Sequence, residues 1–184
     1  MVVDVQNDFA DPAGSLYVAG GERVAELING EIATAIEAGS FVVYTQDWHP
    51  PRTPHFVTDG GVWPVHCVAG TWGAAFHPDL RVVGPSVRKG TGGEDGYSGF
   101  TVQDQGTGQR RPTSLGGLLG EKSIRTVVIA GLATDYCVKE TALDAVTGGF
   151  RTFVARGAIR SVDLHPGDGD RAIDAMIHAG AVVA

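Results

Sequence analysis

The sequence predicts an α/β fold with three layers, α/β/α, around a central and mostly parallel sheet. Short apolar runs alternate with segments of helical periodicity along the whole chain. Continuous apolar strands are typical of parallel sheets, because helices cover both faces of such a sheet. A chain of 184 residues can bury roughly 70% of the surface that its unfolded form exposes. Since no repeat or linker divides the chain, we expect a single domain over residues 1–184.

Six segments are predicted as buried strands because they are short, apolar and rich in β-branched residues. They are residues 2–3, 41–44, 82–87, 127–130, 152–155 and 181–183. Three other segments repeat apolar residues at helical spacing, and the first two end at glycine. These predicted helices are residues 24–36, 138–146 and 171–178. In a parallel sheet the ligand crevice lies beyond the carboxyl ends of the strands, so residues that follow a strand are the candidates for function.

Two long segments lack periodicity. Residues 49–78 are rich in proline, glycine, histidine and tryptophan. A loop of this length inside a compact domain is usually functional or disordered, and its aromatic content argues against disorder. Residues 90–111 are also irregular, and we expect them to form a mobile loop.

The composition argues against nucleic-acid and membrane partners. Fourteen basic and 21 acidic residues give a formal net charge of −7, which would repel a phosphate backbone. No apolar run approaches the ~20 residues that span a bilayer, and no basic-then-apolar leader opens the sequence. Two cysteines are too few for a disulfide framework, so we expect a cytoplasmic location. The oligomeric state stays open, a homo-oligomer included.

Cys137 is a candidate nucleophile. It follows the fourth predicted strand, at the start of a helix whose predicted N-cap is Thr134. Free backbone N–H groups and the positive end of the helix dipole favour a thiolate there and can bind an oxyanion. Asp4 and Lys89 each follow or end a predicted strand, so a base and a cation should face the same crevice. A buried structural thiol is the alternative interpretation of Cys137.

Asp47, His49, His55 and His66 form a candidate metal site. Asp47 and His49 are two residues apart at the end of a strand, so their side chains leave on the same face. His55 and His66 lie in the long irregular segment, which could fold back over that strand end. One carboxylate and three imidazoles suit zinc, iron(II) or manganese(II). The alternative is a set of unrelated loop histidines that are hydrogen-bonded to the backbone.

The sequence resembles the isochorismatase-like cysteine hydrolases nearly from end to end. Residues 4–9, Asp-Val-Gln-Asn-Asp-Phe, resemble the opening motif, and residues 131–138, Gly-Leu-Ala-Thr-Asp-Tyr-Cys-Val, resemble the nucleophile motif. Four shorter motifs are similar to the nicotinamidase (pyrazinamidase) branch. They are residues 47–49 (Asp-Trp-His), 54–56 (Pro-His-Phe), 63–67 (Trp-Pro-Val-His-Cys) and 89–90 (Lys-Gly).

The resemblance implies the isochorismatase-like hydrolase fold. It also implies the hydrolysis of nicotinamide, and of pyrazinamide, through a cysteine thioester, which is a reaction of NAD salvage. It implies Cys137 as nucleophile, Asp4 as proton acceptor and Lys89 as their electrostatic partner. The implied cofactor is one divalent ion, zinc, iron or manganese, and the implied partner is the small-molecule substrate. The ligands of that ion would be Asp47, His49, His55 and His66.

The resemblance also implies a substrate pocket and an oxyanion hole. Phe9 and Trp63 match positions that flank a pyridine ring, and Tyr97 matches a further pocket residue. Ala133 matches a residue that a cis peptide bond precedes, and its N–H would form the oxyanion hole together with that of Cys137. Tyr136 stands where some relatives have histidine, so no role is transferred to it.

Two other functions stay open. One is an amidohydrolase of the same superfamily that acts on a ureido or carbamoyl substrate, although such relatives generally lack the metal set. The other is a non-catalytic metal-binding protein, in which Asp47 and the histidines hold the long loop in place. Release of ammonia from nicotinamide separates the enzyme from both.

Overall fold

Six of eight strands form one central sheet in the computed structural model, which describes residues 1–184. The strands are β1 Val2–Val3, β2 Tyr44–Asp47, β3 Ser86–Lys89, β4 Thr101–Gln103, β5 Arg110–Pro112, β6 Thr126–Leu132, β7 Arg151–Arg160 and β8 Val182–Val183. The order across the sheet is β3-β2-β1-β6-β7-β8, and every neighbouring pair is parallel. β4 and β5 form a separate antiparallel hairpin.

Helices cover both faces of the sheet. They are α1 Asn7–Ala10, α2 Val24–Glu37, α3 Leu115–Glu121, α4 Lys139–Thr147 and α5 Asp168–Ala179. α2 buries Ile28 in the core cluster on one face. α3, α4 and α5 bury Leu119, Ala142 and Met176 in the cluster on the other face. The predicted three-layer α/β/α architecture is therefore confirmed. Among these helices, none combines the length and apolar character that crossing a bilayer requires.

The pleat of the strands explains why two separate clusters form. Successive strand residues point to opposite faces of a sheet. Val2 accordingly belongs to the cluster beneath α2, whereas Val3 belongs to the cluster beneath α3, α4 and α5. Both side chains are buried, so an apolar residue is favoured at each successive position of the strand. This burial on both faces is the reason that the strands read as continuous apolar runs.

Several strand boundaries differ from the predicted ones. β3 begins at Ser86 and not at residue 82, because Pro85 has no N–H to donate to a ladder. β2 begins at Tyr44 and not at residue 41, because its pairing with both neighbours starts at that residue. β7 continues to Arg160, past residue 155, since it resumes pairing with β6 after an irregularity in the register.

Two regions contain structure that the sequence did not predict. Residues 90–111, expected to be an irregular loop, contain β4 and the start of β5. The expectation was wrong there because each of these strands has only three residues, too few for a period to be seen. α3 was missed because three of its seven residues are glycine, which is a poor helix former.

The segment after β6 begins with a π-helical turn, Thr134–Val138, and continues directly as α4. Its N-cap is Ala133, with extended φ and ψ of −96° and 150°, and no side chain caps the turn. The prediction that Thr134 is the N-cap was therefore wrong, because Thr134 is already the first residue of the turn. Cys137 still lies within this first turn, beyond the carboxyl end of the sheet.

Candidate active site

Asp4, Lys89 and Cys137, which the sequence predicted to share a crevice, lie together at the carboxyl end of the sheet. Asp4 follows β1, Lys89 is the last residue of β3, and Cys137 lies in the turn after β6. Lys89 Nζ is 2.8 Å from Asp4 Oδ2 and 3.6 Å from Cys137 Sγ. The exposed fractions of Asp4, Lys89 and Cys137 are 0%, 1% and 6%. A thiol, a carboxylate and an ammonium are thus held in contact inside the protein.

The Asp4 carboxylate is held by a second contact. Thr45, on the neighbouring strand β2, donates a hydrogen bond from its hydroxyl to Asp4 Oδ1 at 2.6 Å. Asp4 also has a φ of 48°, an uncommon backbone conformation for a residue with a side chain. Conformations of this kind cost of order 1–3 kcal/mol and cluster at functional sites. The backbone conformation of Asp4 therefore lowers the stability of the fold where it places this carboxylate in the site.

Burial dominates the ionisation of the three groups. It raises the pKa of the Cys137 thiol well above its usual range, and the nearby Lys89 acts in the opposite direction. Burial likewise raises the pKa of the Asp4 carboxyl, against the lowering effect of Lys89. Burial alone would favour a neutral amine, yet Asp4 and Asp47 hold the pKa of Lys89 well above its usual value. The proton affinity of the carboxylate is thereby increased beside a thiol that keeps its proton.

Asp47, His49, His55 and His66 also converge. Ring nitrogens of the three histidines lie within 4.8 Å of one another. Asp47 Oδ2 is 3.8 Å from His49 Nε2 and 3.9 Å from His66 Nε2. All four residues are buried, and the fully buried ring of Phe56 packs against the three imidazoles. The long irregular segment folds back over the end of β2, as the sequence predicted.

The chemistry of this cluster fits a divalent ion. Both ring nitrogens of His49 are buried without a hydrogen-bond partner in the protein. An unsatisfied buried polar group costs about 1–3 kcal/mol, and a cation bound to one of the two nitrogens would remove that cost there. Burial lowers the pKa of His66 to about 4, so its imidazole is neutral and able to bind a metal at neutral pH. Three imidazoles and one carboxylate are a donor set for zinc, iron(II) or manganese(II).

Gly90 is required next to this cluster. Its φ is 72°, and a Cβ added to it would lie 2.6 Å from Nδ1 of His49. Any side chain at this position would therefore displace the His49 ring. The Lys-Gly pair of the sequence thus combines a charged residue of one cluster with a residue that leaves room for the other.

Lys89 also joins the two clusters. Its Nζ lies 2.5 Å from Asp47 Oδ1 in addition to its contact with Asp4. Asp4, Asp47 and Cys137 offer three donor atoms within 4.8 Å of one another, a spacing that could also hold a metal. The ammonium of Lys89 contacts all three of these residues, so the positive charge there comes from the protein. The histidine cluster is the better candidate metal site.

An apolar cavity opens onto both clusters. It encloses about 390 Å³ of atom-free space, open mouth included. The lining residues are Phe9, Leu16, Val18, Asp47, His55, Trp63, His66, Tyr97, Ala133, Tyr136, Cys137 and Val162. Trp63 Nε1 donates a hydrogen bond to the Tyr97 hydroxyl at 2.8 Å, and its ring packs edge-on against Tyr136 at 4.9 Å. Trp63, Tyr97 and Tyr136 therefore form one aromatic wall, whereas Phe9, the third predicted pocket residue, lines the cavity and packs against His66.

The backbone beside Cys137 offers a hydrogen-bond donor. The peptide bond between Leu132 and Ala133 is cis, as the resemblance implied. The Ala133 N–H donates to no backbone acceptor in the protein, and Ala133 lines the cavity next to Cys137. A donor of this kind can bind an oxygen that becomes negatively charged.

The whole chain also matches a known protein family. A family model for the isochorismatase domain matches residues 1–184. The chain belongs to the isochorismatase family. The resemblance in the sequence motifs is thereby confirmed, and the parallel sheet with flanking helices is the fold of its relatives in this family.

Several characterised members of the isochorismatase family are similar to this chain. The nicotinamidase of Acinetobacter baylyi is 37% identical over 184 residues, which cover 90% of this chain and 82% of that protein. The pyrazinamidase of Pyrococcus horikoshii in complex with zinc has a TM-score of 0.87 and 37% identity, over 100% of this chain and 96% of the other. PnC1 from L. infantum in complex with nicotinate has a TM-score of 0.88 and 35% identity, over 100% and 89%.

Sequence reasoning missed several residues of this isochorismatase-family site. The Gln6 side chain fixes the backbone of Asp47. It donates from Nε2 to the Asp47 carbonyl at 2.7 Å and accepts from the Asp47 N–H at 2.8 Å. Gln6 lies inside the opening motif, which was a usable signal. Tyr136 lines the cavity and could have been proposed from its position next to Cys137. Leu16, Val18 and Val162 come from loops without any periodic pattern, so the sequence carried no signal for them.

Proposed function

We propose that this protein is a metal-dependent nicotinamidase, which hydrolyses nicotinamide, and also pyrazinamide, to the acid and ammonia. The observation that carries the proposal is the joint position of two clusters at one aromatic cavity. A thiol with a carboxylate and an ammonium suits covalent attack on an amide carbon. Three imidazoles and a carboxylate lie beside it, where a heteroaromatic ring would be bound.

In the first step the Cys137 thiol gives its proton to Asp4 as the sulfur attacks the carboxamide carbon. The buried surroundings keep the thiol protonated until then and increase the proton affinity of Asp4, so the transfer need not pass through a free thiolate. Lys89, at 3.6 Å from Sγ, stabilises the negative charge on sulfur during the attack. The Ala133 N–H, together with that of Cys137, binds the oxygen as it becomes an oxyanion.

In the second step the tetrahedral intermediate collapses. The carbon–nitrogen bond breaks, Asp4 returns its proton to the leaving nitrogen, and ammonia departs, which leaves a thioester on Cys137. Asp4 then takes a proton from water while the water oxygen attacks the thioester carbon. The carbon–sulfur bond breaks, the thiolate regains the proton, and the acid is released. Lys89 stays charged throughout, so Asp4 alone carries the proton.

Asp47, His49, His55 and His66 would hold one divalent ion. Such an ion would supply a positive centre for the nitrogen of the pyridine or pyrazine ring and thereby orient the ring. Phe9 and Trp63 provide aromatic surface for the same ring, and stacking adds about 0.5–1.5 kcal/mol beyond simple burial. The wall of the cavity therefore favours a flat heteroaromatic amide over an aliphatic one.

The deciding experiment is an ammonia-release assay with purified protein that has been loaded in turn with zinc, iron(II) and manganese(II). We expect turnover of nicotinamide and pyrazinamide, and rates lower by at least about tenfold on a short aliphatic amide of similar size. Comparable rates on nicotinamide and the aliphatic amide would overturn the proposed substrate class. Preferred turnover of a ureido or carbamoyl compound would support the alternative amidohydrolase, and metal binding without turnover would support the non-catalytic protein.

We also propose a cytoplasmic location. Both cysteines are free, and Cys137 must stay reduced in order to act. Fractionation of cells that carry a tagged chain tests the location, and recovery outside the cytoplasm would contradict it.

A further inference from the structure

Asp95 is a carboxylate outside both clusters that contacts one of the histidines. It accepts a hydrogen bond from His55 Nδ1. The side chain of His55 is 5% exposed and that of Asp95 is 34% exposed, so the bond lies at the boundary between the site and the surface. Nothing in the sequence motifs singles out this residue, and the mechanism above does not use it.

The three imidazoles differ in what holds them. His66 donates from Nδ1 to the carbonyl oxygen of Pro64 at 2.7 Å, and neither nitrogen of His49 has a partner in the protein. His55 is the one imidazole of the three in which Nδ1, the ring nitrogen on the side away from the cluster, is hydrogen-bonded to a charged group. With Nδ1 engaged in this way, Nε2 is the nitrogen of His55 that remains for the cluster.

Asp95 is itself fixed by the hairpin. Its backbone exchanges two hydrogen bonds with Gln103 of β4, N–H to carbonyl at 2.9 Å and the reverse at 2.7 Å. The Gln105 side chain donates a further bond to Asp95 Oδ1 at 2.6 Å. The carboxylate therefore has a defined position although it is partly exposed. Asp95 thereby links the hairpin to His55.

We infer that Asp95 is a positioning residue that orients His55 toward the metal, an inference that rests on the metal site of the proposed function. A carboxylate bonded to the outer nitrogen of a metal-binding histidine fixes the tautomer and the ring orientation and makes the inner nitrogen a better donor. Removal of such a partner typically weakens metal binding 10–100-fold. The role of β4 and β5 is then to hold this carboxylate in place.

The test measures metal affinity and not turnover. Zn²⁺ and Co²⁺ are titrated against a chromophoric chelator into the wild type, Asp95→Asn, Asp95→Ala and the matched control Glu94→Gln. We expect Asp95→Ala to weaken binding about 10–100-fold and Asp95→Asn to weaken it less, since an amide oxygen can still accept the bond. The visible absorption spectrum of the Co²⁺-loaded Asp95→Ala protein should also change, because the His55 ligand is no longer held. Glu94→Gln should keep the wild-type affinity and spectrum.

A double-mutant cycle separates an effect through His55 from a general loosening of the loop. If Asp95 acts through His55, Asp95→Ala should cause no further loss of affinity in a His55→Ala background. Additive losses in the cycle, or equal affinities of the wild type and Asp95→Ala, would overturn the role of Asp95 while the metal site stands. A wild type that binds neither ion would overturn the metal site itself.

Discussion

The two cysteines are both buried, but their sulfurs have different neighbours. Cys137 Sγ lies 3.6 Å from the Lys89 ammonium, whereas Cys67 Sγ lies 3.9 Å from the carbonyl oxygen of Gly73. Burial raises the pKa of the Cys67 thiol well above its usual range, and the nearby carboxylate of Asp47 adds to that effect. A cation stabilises a thiolate and a carbonyl oxygen does not, so we propose Cys137, and not Cys67, as the reactive cysteine.

Cys137→Ala should lower turnover of nicotinamide by roughly 10³-fold or more, because it removes covalent chemistry while changing little volume. Circular dichroism and metal content should stay as in the wild type. Cys67→Ala is the matched control and should remain active. An alkylating analogue should label Cys137, and mass spectrometry that finds the label on Cys67 would refute the assignment.

Thr45→Val tests Asp4 as the proton acceptor. The Thr45 hydroxyl stabilises the ionised form of Asp4, and a bond to a charged group contributes about 1.5–3 kcal/mol. Its loss should raise the pKa of Asp4 further, because that bond lowers it. Since Asp4 must be ionised to accept the thiol proton, the acid limb of kcat/KM should move to higher pH. A pH profile with an unmoved acid limb would exclude Asp4 as the group that titrates there.

At the scale of elements, the most consequential segment is residues 49–78, which carry His55 and His66 over the end of β2. Its only helical structure is a 3₁₀ turn, Val57–Asp59, and isolated backbone bridges such as that between His49 and Val68 join other parts of it. A metal bound by the histidines would add further anchors to this segment. We expect its order to depend on the metal.

Chelation of the metal should increase backbone hydrogen exchange over residues 49–78 and leave β6 and β7 unchanged. His55→Ala should reproduce this pattern in the presence of metal and lower activity, because it removes one ligand. His165→Ala, a change of an exposed histidine, serves as the control. Equal exchange of the loop in metal-loaded and chelated protein would show that the histidines do not anchor it, and full activity of His55→Ala would remove His55 from the metal site.

The sequence predicted the elements whose burial requires a periodic pattern of apolar residues. α2 and α5 repeat apolar residues at helical spacing because one face of each is buried. The predicted ends of both helices lie within a few residues of the observed ends. The clusters were predictable for a related reason, since their charged residues follow apolar strands. Asp95 could not be predicted, because its contact with His55 depends on a hairpin of two three-residue strands. The fold could thus be predicted from the pattern of buried residues, but the contact that positions His55 could not.

At the scale of the whole molecule, the proposed metal ligands belong to neither of the two core clusters, although the ring of His66 packs against Phe9 of one of them. These clusters, of 18 and 15 buried residues, lie beneath α2 and beneath α3 to α5. A domain with such a core does not need a metal to fold, in contrast to small zinc-dependent domains. The metal should therefore act on function more than on stability.

Removal of the metal should abolish most activity but lower Tm only modestly. An ion present at about 100 times its dissociation constant stabilises a protein by about 2.7 kcal/mol. For a chain of this size that corresponds to about 5–11 °C in Tm. Scanning calorimetry with and without chelator measures the difference. Global unfolding on chelation would show that the ion is structural first.

The metal-free protein should lose stability in acid through His66. Burial lowers the pKa of His66 from its ordinary 6.5 to about 4 in the folded chain. Between these values the unfolded chain binds a proton that the folded chain does not, so stability that is complete above pH 6.5 falls as the pH drops toward 4. The loss is up to about 3 kcal/mol. Urea midpoints at pH 7 and pH 4.5 should differ less for His66→Asn than for the wild type, and an unchanged difference would contradict this assignment.

The ammonium of Lys89 contacts both Asp4 and Asp47, so it couples the charge of the histidine cluster to that of the cluster around Cys137. A divalent ion beside Asp47 would take over part of the charge that Lys89 balances, and more of the lysine's field would then act on the sulfur. Linkage requires that the ion and the proton of the Cys137 thiol change each other's binding by the same factor. Iodoacetamide should therefore react with Cys137 faster in metal-loaded protein than in chelated protein, and the alkylated protein should bind the ion with altered affinity. The thiol would thus serve as an optical or mass-spectrometric reporter of metal occupancy, without any contact between reagent and metal.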